Sequence, residues 1–297
     1  MPKTTITETI ANGRILLSDG AWGTFLAQKG WTPDQCPEQW CVERPEDVLA
    51  IAKSYIDSGA DMIETNSFGG TPFKLAHYGL ADKAAELNEA AAHISRQAAG
   101  ENKWVLGSVG PTGKMMLMGD VTEEELYYAF KTQVCALERG GADAICIETM
   151  SASDEALLAI RAAKENTKCE IICTFTFSFT GQKEFRTMMG EAPVAIINAA
   201  IEAGADIIGS NCGNGMEQML AIVKEIRSGG ITHPLLVQAN AGLPQLQNGI
   251  EVFPETPREM ADFVGELVQA GANVIGGCCG TTPDHIRALR SALDRLQ

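Results

Sequence analysis

Long apolar runs are absent from this 297-residue chain: none reaches the ~18 residues that a membrane-spanning helix requires. The N-terminal stretch MPKTTITETIANGR also lacks the apolar core of a secretory signal. The expected location is cytoplasmic, with no membrane partner. Positive charge is scarce: 23 Lys and Arg stand against 38 Asp and Glu, for a net charge of −15. Phosphate backbones need a basic face, so no nucleic acid partner is expected. No linker or low-complexity segment interrupts the chain, and one domain over residues 1–297 is expected. No G-x-G-x-x-G follows a strand-like run and opens a helix, which weakens a dinucleotide-binding sheet. Cysteine is not scarce, but nine is an odd number with irregular spacing. In a chain this long that pattern points to buried thiols or metal ligands rather than a disulfide framework.

What is present is a rhythm. SGADMIETNS, GGADAICIETM, AGADIIGSNCG and AGANVIGGCCG echo one another, each with Gly-Ala-Asp or Gly-Ala-Asn, at Gly59, Gly141, Gly204 and Gly271. Each glycine follows an amphipathic helical pattern, where a left-handed cap is expected. A short apolar run follows each, the length of a buried strand. Four more strands are expected at Arg14–Gly20, Trp104–Gly110, Glu170–Ser178 and Pro234–Gly242. Helical stretches lie around 45–58, 72–99, 122–139, 153–165, 191–203, 215–228, 257–270 and 283–296. Thr122 with Glu125 and Thr256 with Glu259 read as capping boxes, and Thr282-Pro283 as a helix start. Eight strands alternating with eight helices predict an α/β fold, a single (β/α)8 TIM barrel, with a doubly wound sheet as the alternative. Residues 24–44 read as a long loop on the first strand.

Such barrels carry their chemistry at the C-terminal ends of the strands. Seven residues beyond each junction glycine lie Asn66, Glu148, Asn211 and Cys278; eight beyond lie Ser67, Thr149, Cys212 and Cys279. Asp19 ends the first strand and Asn240 the seventh. A packed core favours branched apolar residues at such positions, so this set marks a site. Cys212, Cys278 and Cys279 converge in this arrangement. Neighbouring residues on a strand point to opposite faces, which opposes joint use of Cys278 and Cys279. Gly276, Gly277 and Gly280 are expected to free the backbone so that both sulfurs turn the same way. Three thiolates with an open fourth position describe a catalytic zinc site, and soft donors select zinc over magnesium. None of the four histidines completes a closed site; His285 lies in the first turn of the last helix. Core packing and a strained vicinal disulfide remain alternatives for the triad. Cys36, Cys41, Cys135, Cys146, Cys169 and Cys173 read as loop or core thiols. The Gly110–Gly113 loop, Gly-Pro-Thr-Gly, is a weak candidate for cradling an anion.

The segments GGCCGTTPDHI (Gly276–Ile286) and NC (Asn211–Cys212) resemble the homocysteine S-methyltransferase family, over essentially the whole chain. LLSDGAWGTFL, DMIETNSFGGT, GSVGPTG, IETM and NAG follow in the same order. The resemblance implies one zinc on Cys212, Cys278 and Cys279. It also implies that Asp19, Gly20 and Glu148 bind the amino acid end of homocysteine, with Trp22, Thr65 and Asn66 near the substrate. Glu148 is the expected catalytic carboxylate, with Asn211 and Asn240 as further candidates.

Departures from the family pattern are Gly-Asn-Gly-Met after Cys212 and Gln-Ala before Asn240. The chain has no folate-binding barrel, cobalamin module or Asp-x-His-x-x-Gly signature, so the expected methyl donor is a small molecule or arrives on another protein. Two readings follow. In the first, zinc activates the thiol of homocysteine for attack on a methyl donor, giving methionine. In the second, zinc activates a methyl ether, thioether or similar donor, and the methyl passes to cob(I)alamin on a corrinoid-binding partner protein. A zinc-binding barrel without catalysis is a third class, disfavoured by the open coordination position and the Asp19/Glu148 pair.

Overall fold

A computed structural model describes residues 4–181, 184–247 and 250–296. The first three residues of the N-terminal stretch considered above therefore lie outside the described residues. Eight parallel strands form one sheet: β1 (Leu16–Leu17), β2 (Met62–Glu64), β3 (Trp104–Val109), β4 (Ala144–Met150), β5 (Glu170–Phe175), β6 (Ile207–Asn211), β7 (Leu235–Ala239) and β8 (Val274–Gly277). The strands neighbour one another in chain order, and β8 pairs with β1. Between β1 and β2, Asp61 N donates to Leu17 O at 2.7 Å and Glu64 N to the Asp19 carboxylate at 3.0 Å. The alternating sequence thus forms a (β/α)8 barrel, as expected.

The major helices are α1 (Pro45–Asp57), α2 (Ala84–Ala99), α3 (Glu123–Arg139), α4 (Ser153–Asn166), α5 (Pro193–Ala203), α6 (Met216–Ser228), α7 (Val264–Ala270) and α8 (Pro283–Leu293). All four junction glycines are left-handed, with φ between +100° and +105°. Both expected capping boxes form, and Thr282 pairs with His285 in a third. Among the described residues, no helix is long and apolar enough to cross a membrane.

Several boundaries differ from expectation. The stretch 72–99 is not one helix. Pro72–Leu75 and the 3-10 turns Ala76–Tyr78 and Ala81–Lys83 precede α2, because Gly79 turns left-handed at φ +71°. The stretch 257–270 divides at Phe263 into Pro257–Asp262 and α7. The 24–44 loop holds helical turns at its ends, Gly23–Gln28 and Trp40–Glu43. Two antiparallel hairpins, Ser178–Phe179 with Phe185–Arg186 and Gln245–Gln247 with Ile250–Val252, extend the loops after β5 and β7.

The sequence pattern also hid a short helix, Ile6–Ala11, opened by a Thr5/Glu8 capping box. Its first turn is held by Glu170 at the start of β5, which accepts from Ile6 N at 2.6 Å and Thr7 N at 2.9 Å. Ile6 and Ile10 join Leu16, Met62, Trp104, Leu106, Cys146, Ile172 and Leu236 in an apolar cluster inside the barrel. Each buried isoleucine contributes roughly 1.5–3 kcal/mol. Toward the C-terminal end the same inward register becomes polar, with Ser18, Glu64, Ser108, Glu148, Thr174, Asn211 and Gln238. The helix plugs one end of the barrel, and the chemistry is left to the other.

Candidate metal centre and cavity

The ladder continues beyond the ends of the last three strands. Cys212 N donates to Gln238 O at 3.0 Å, Cys278 N to Ala239 O at 2.7 Å, and Ala241 N to Cys279 O at 2.9 Å. The end of β7 therefore holds Cys212 on one side and the Cys278–Cys279 pair on the other. Their three Sγ atoms lie within 4.8 Å of one another, and Cys212 and Cys279 are 3.8 Å apart. Four sulfurs at ~2.3 Å from a tetrahedral zinc would stand roughly 3.8 Å apart, so the spacing fits one ion. All three carry free thiols, against a vicinal disulfide, and their convergence at the cavity is unlike core packing.

The backbone freedom expected of three glycines is distributed differently. Only Gly280 is left-handed, at φ +80°, while Gly276 and Gly277 remain in β8. A Cβ on Gly277 would lie 2.4 Å from Thr281 Oγ1, so this glycine supplies space. The unusual backbone belongs to Cys212 itself, at φ +60°, and to Thr149 at φ +60°. Positive φ in such residues is costly and concentrates at functional sites.

Two of the thiols act as donors to the third. Hydrogen bonds from Cys278 and Cys279 push the Cys212 thiol down to about 3, with help from Gly213 N and the Asn240 side chain. The same bonds to Cys212 push Cys279 up to about 12 and Cys278 well up. Elsewhere burial keeps thiols protonated: it pushes Cys36 and Cys169 up to about 12 and raises Cys41, Cys146 and Cys173.

The triad opens into a cavity of about 500 Å³ lined also by Gly20, Trp22, Glu64, Thr65, Asn66, Ser108, Glu148 and Gln238. Glu148 accepts from Ser108 Oγ and, at 3.0 Å, from Asn211 Nδ2. Burial pushes its carboxyl up to about 7. Asp19 lies behind Gly20 and Trp22, accepting from Ser18 Oγ, Trp22 Nε1 and Glu64 N. Burial outweighs those bonds and lifts it to about 6.

The structure adds a carboxylate that the sequence did not single out. Glu64 is buried, takes a 2.8 Å hydrogen bond from Gln238 Nε2, and lies close enough to Glu148 and Asp19 that both raise its pKa further, after burial itself. Its signal in the sequence was an acidic residue closing an apolar run, Met62-Ile63-Glu64.

Other candidates lie nearby with most of their polar atoms engaged, although the buried Asn240 Oδ1 has no hydrogen-bond partner among the described residues. Thr65 Oγ1 accepts from Ser108 N at 2.9 Å, stitching β2 to β3. Asn66 Nδ2 donates to Pro37 O at 2.7 Å, anchoring the loop after β1. Asn211 and Asn240 are buried behind the cavity lining. Asn211 Oδ1 accepts from Thr149 N at 2.7 Å and Thr174 Oγ1 at 2.8 Å. His285 engages Thr282 through Nδ1 and Glu255 O through Nε2, at 3.0 Å, so both ring nitrogens are spent on the loop. The donors of the Gly110–Gly113 loop already hold an anion of the protein: Thr112 N and Oγ1 both reach Glu155.

A family model described as homocysteine S-methyltransferase matches residues 16–293. Methionine synthase of Mycobacterium leprae (strain TN) is 32% identical over 315 residues, covering 98% of this chain and 25% of its own length. Methionine synthase of Mycobacterium tuberculosis (strain ATCC 25618 / H37Rv) is 31% identical over 310 residues, covering 97% of this chain and again 25% of its own. The chain thus spans about a quarter of the length of these relatives. Among solved structures, the metallated form of the homocysteine methyltransferase MmuM from Escherichia coli matches with a TM-score of 0.79 at 24% identity, over 97% of this chain and 99% of that one. This likeness is one of fold.

Proposed function

The chain belongs to the homocysteine S-methyltransferase family, and on that premise we propose that its cavity binds homocysteine with the thiol toward Cys212, Cys278 and Cys279. The observation that carries the reading is the pairing, in one cavity, of a three-sulfur cluster with buried carboxylates. A homocysteine zwitterion offers the matching groups, a soft sulfur at one end and an ammonium at the other.

Zinc fits the donor set, and when bound it supplies the positive charge that holds a substrate thiol as its nucleophilic thiolate near neutral pH. The chain's residues do the rest. Glu148 meets the α-ammonium, held by Ser108 and Asn211, with Glu64 below and Asp19 behind Gly20 and Trp22. The ammonium offsets the burial that keeps these carboxyls partly protonated, so binding favours their ionised forms. The Asn240 side chain, close to Cys212, favours the ionised form of that sulfur. Thr65 and Asn66 shape the wall, and Trp22 covers Asp19. Methyl transfer then forms an S–C bond on homocysteine while the donor's bond to its methyl breaks, its electron pair leaving with the donor. The product is methionine.

Exposed apolar residues stud the rim formed by alternate loops at the C-terminal end of the barrel: Leu117 and Met118 after β3, Met188 and Met189 after β5, and Leu243 and Leu246 after β7. Exposed apolar side chains gathered at one end of a fold are the material of an interaction surface. The rim favours a methyl donor carried by a second macromolecule, such as a corrinoid on a partner protein, over a freely diffusing one.

The test supplies zinc-loaded protein with homocysteine and, in turn, S-methylmethionine, betaine, methylcobalamin and a methylated corrinoid protein. Methionine is the expected product with at least one of them. Absence of methionine throughout, with methylation of cob(I)alamin from a methyl ether or thioether, overturns the reading in favour of demethylation.

A further inference from the structure

The metal cluster and the amino-acid end of the cavity are built on different loops, yet one hydroxyl joins them. Thr281 Oγ1 accepts from Ala21 N at 3.0 Å and donates to Cys278 O at 2.7 Å. One partner belongs to the segment after Asp19, the other to a residue of the sulfur cluster. Both loops are also shaped around that oxygen: a Cβ on Gly20 would lie 2.7 Å from it and one on Gly277 would lie 2.4 Å away. The two segments touch directly as well, through Gly277 N and Asp19 O at 2.8 Å. From α1, the buried Tyr55 hydroxyl donates to Ala21 O at 2.6 Å and lies 3.4 Å from Thr281 O. The Thr281 hydroxyl uses its proton on one loop and its acceptor capacity on the other. The sequence suggested nothing more for Thr281 than a place before a helix start.

We infer that Thr281 is a positioning residue that couples the amino-acid end of the cavity to the cysteine cluster, so that filling the first tightens the hold of the second on its metal. The inference rests on the proposed homocysteine reading and adds a route between its two halves. Linkage makes the coupling reciprocal: an amino acid that raises the affinity for metal binds more tightly to the metal-loaded protein.

The test must exclude direct contact between substrate sulfur and metal. L-Norvaline has the homocysteine skeleton with a methyl in place of the thiol. Zinc loss to a chelator is followed in wild type, Thr281→Ser, Thr281→Val and Tyr55→Phe, each alone, with norvaline and with homocysteine. The expected result is that norvaline slows zinc loss several-fold in wild type and in Thr281→Ser, which keeps the hydroxyl. It has little effect in Thr281→Val, which keeps the shape without it. Tyr55→Phe loses part of the effect and answers the question from the other loop should Thr281→Val fold poorly. Equal norvaline effects in wild type, Thr281→Val and Tyr55→Phe overturn the coupling, as does no norvaline effect in wild type. Homocysteine separates the two claims: if it fails to slow zinc loss even in wild type, the homocysteine reading itself fails.

Discussion

The side-chain amide of Asn211 donates to Glu148 Oε2 at 3.0 Å, so the residue preceding one sulfur of the cluster also fixes the carboxylate facing it. The same side chain accepts from Thr149 N, holding a residue whose φ is +60°. Asn211→Leu removes both functions at similar size. Homocysteine KM is expected to rise by about tenfold or more, the scale of a hydrogen bond to a charged group, and stability to fall by about 1–3 kcal/mol. Steady-state kinetics with urea denaturation checks both; an unchanged KM contradicts the role given to Asn211.

Glu148 and Asp19 are pushed up by burial to about 7 and about 6, from ordinary values of 4.5 and 3.8. A carboxyl raised on folding stabilises the fold while protonated, and that contribution is lost as pH climbs through the folded value. The zinc-free, substrate-free protein should therefore lose stability between about pH 4 and pH 8, by a few kcal/mol in all at about 1.4 kcal/mol per pH unit of displacement. Homocysteine binding moves the other way, strengthening through the same range as the carboxylates ionise. Denaturation of wild type and Glu148→Gln across this range checks the sign; identical slopes would contradict it.

Glu64 is crowded by Glu148 and Asp19 and, after burial itself, their charges raise it further. Glu64→Gln removes one charge of the three while keeping an amide able to meet Gln238. The pH midpoint for homocysteine binding should shift downward, and stability at pH 8 should rise by on the order of 1 kcal/mol. Binding titrations over pH show whether the midpoint moves; an upward shift would mean that Glu64 does not repel its neighbours.

Glu155 occupies the Gly110–Gly113 loop through Thr112. Glu155→Ala leaves those donors unpaired and should cost about 1–3 kcal/mol of stability. Zinc content should stay at wild-type level, which metal analysis of the purified variant reads directly. Loss of metal would place this loop in the site after all.

The apolar rim yields a prediction about the donor. Leu117 and Met188 are 82% and 84% exposed, so aspartate at either leaves the fold alone. Leu117→Asp with Met188→Asp should lower turnover with a methylated carrier protein by about tenfold, the loss typical of an interface anchor, and leave turnover with S-methylmethionine or free methylcobalamin nearly unchanged. Equal turnover with the carrier removes the rim from the reaction.

The barrel was legible because four of its αβ junctions carry a left-handed glycine before a short apolar run, a pattern set by backbone sterics. Cys212, Cys278 and Cys279 were legible because sulfur at strand ends has few structural uses. Glu64 was not, since one carboxylate closing an apolar strand looks the same whether it caps a turn or faces a cavity. The Ile6–Ala11 helix was too short to show a period, and its anchor, Glu170, lies far along the chain. Thr281 was not singled out because its two partners, Ala21 and Cys278, come together only when β1 and β8 close the barrel. Gly276 and Gly277 were assigned freedom where the fold uses their lack of a side chain.

The central claim is that three protein sulfurs and the substrate's sulfur share one zinc. X-ray absorption at the zinc edge, with and without homocysteine, tests it most directly. The account predicts three sulfur neighbours at ~2.3 Å in the substrate-free protein, four when homocysteine is added, and loss of the zinc in Cys212→Ala. A sulfur count unchanged by homocysteine, or full zinc retention in Cys212→Ala, would contradict it.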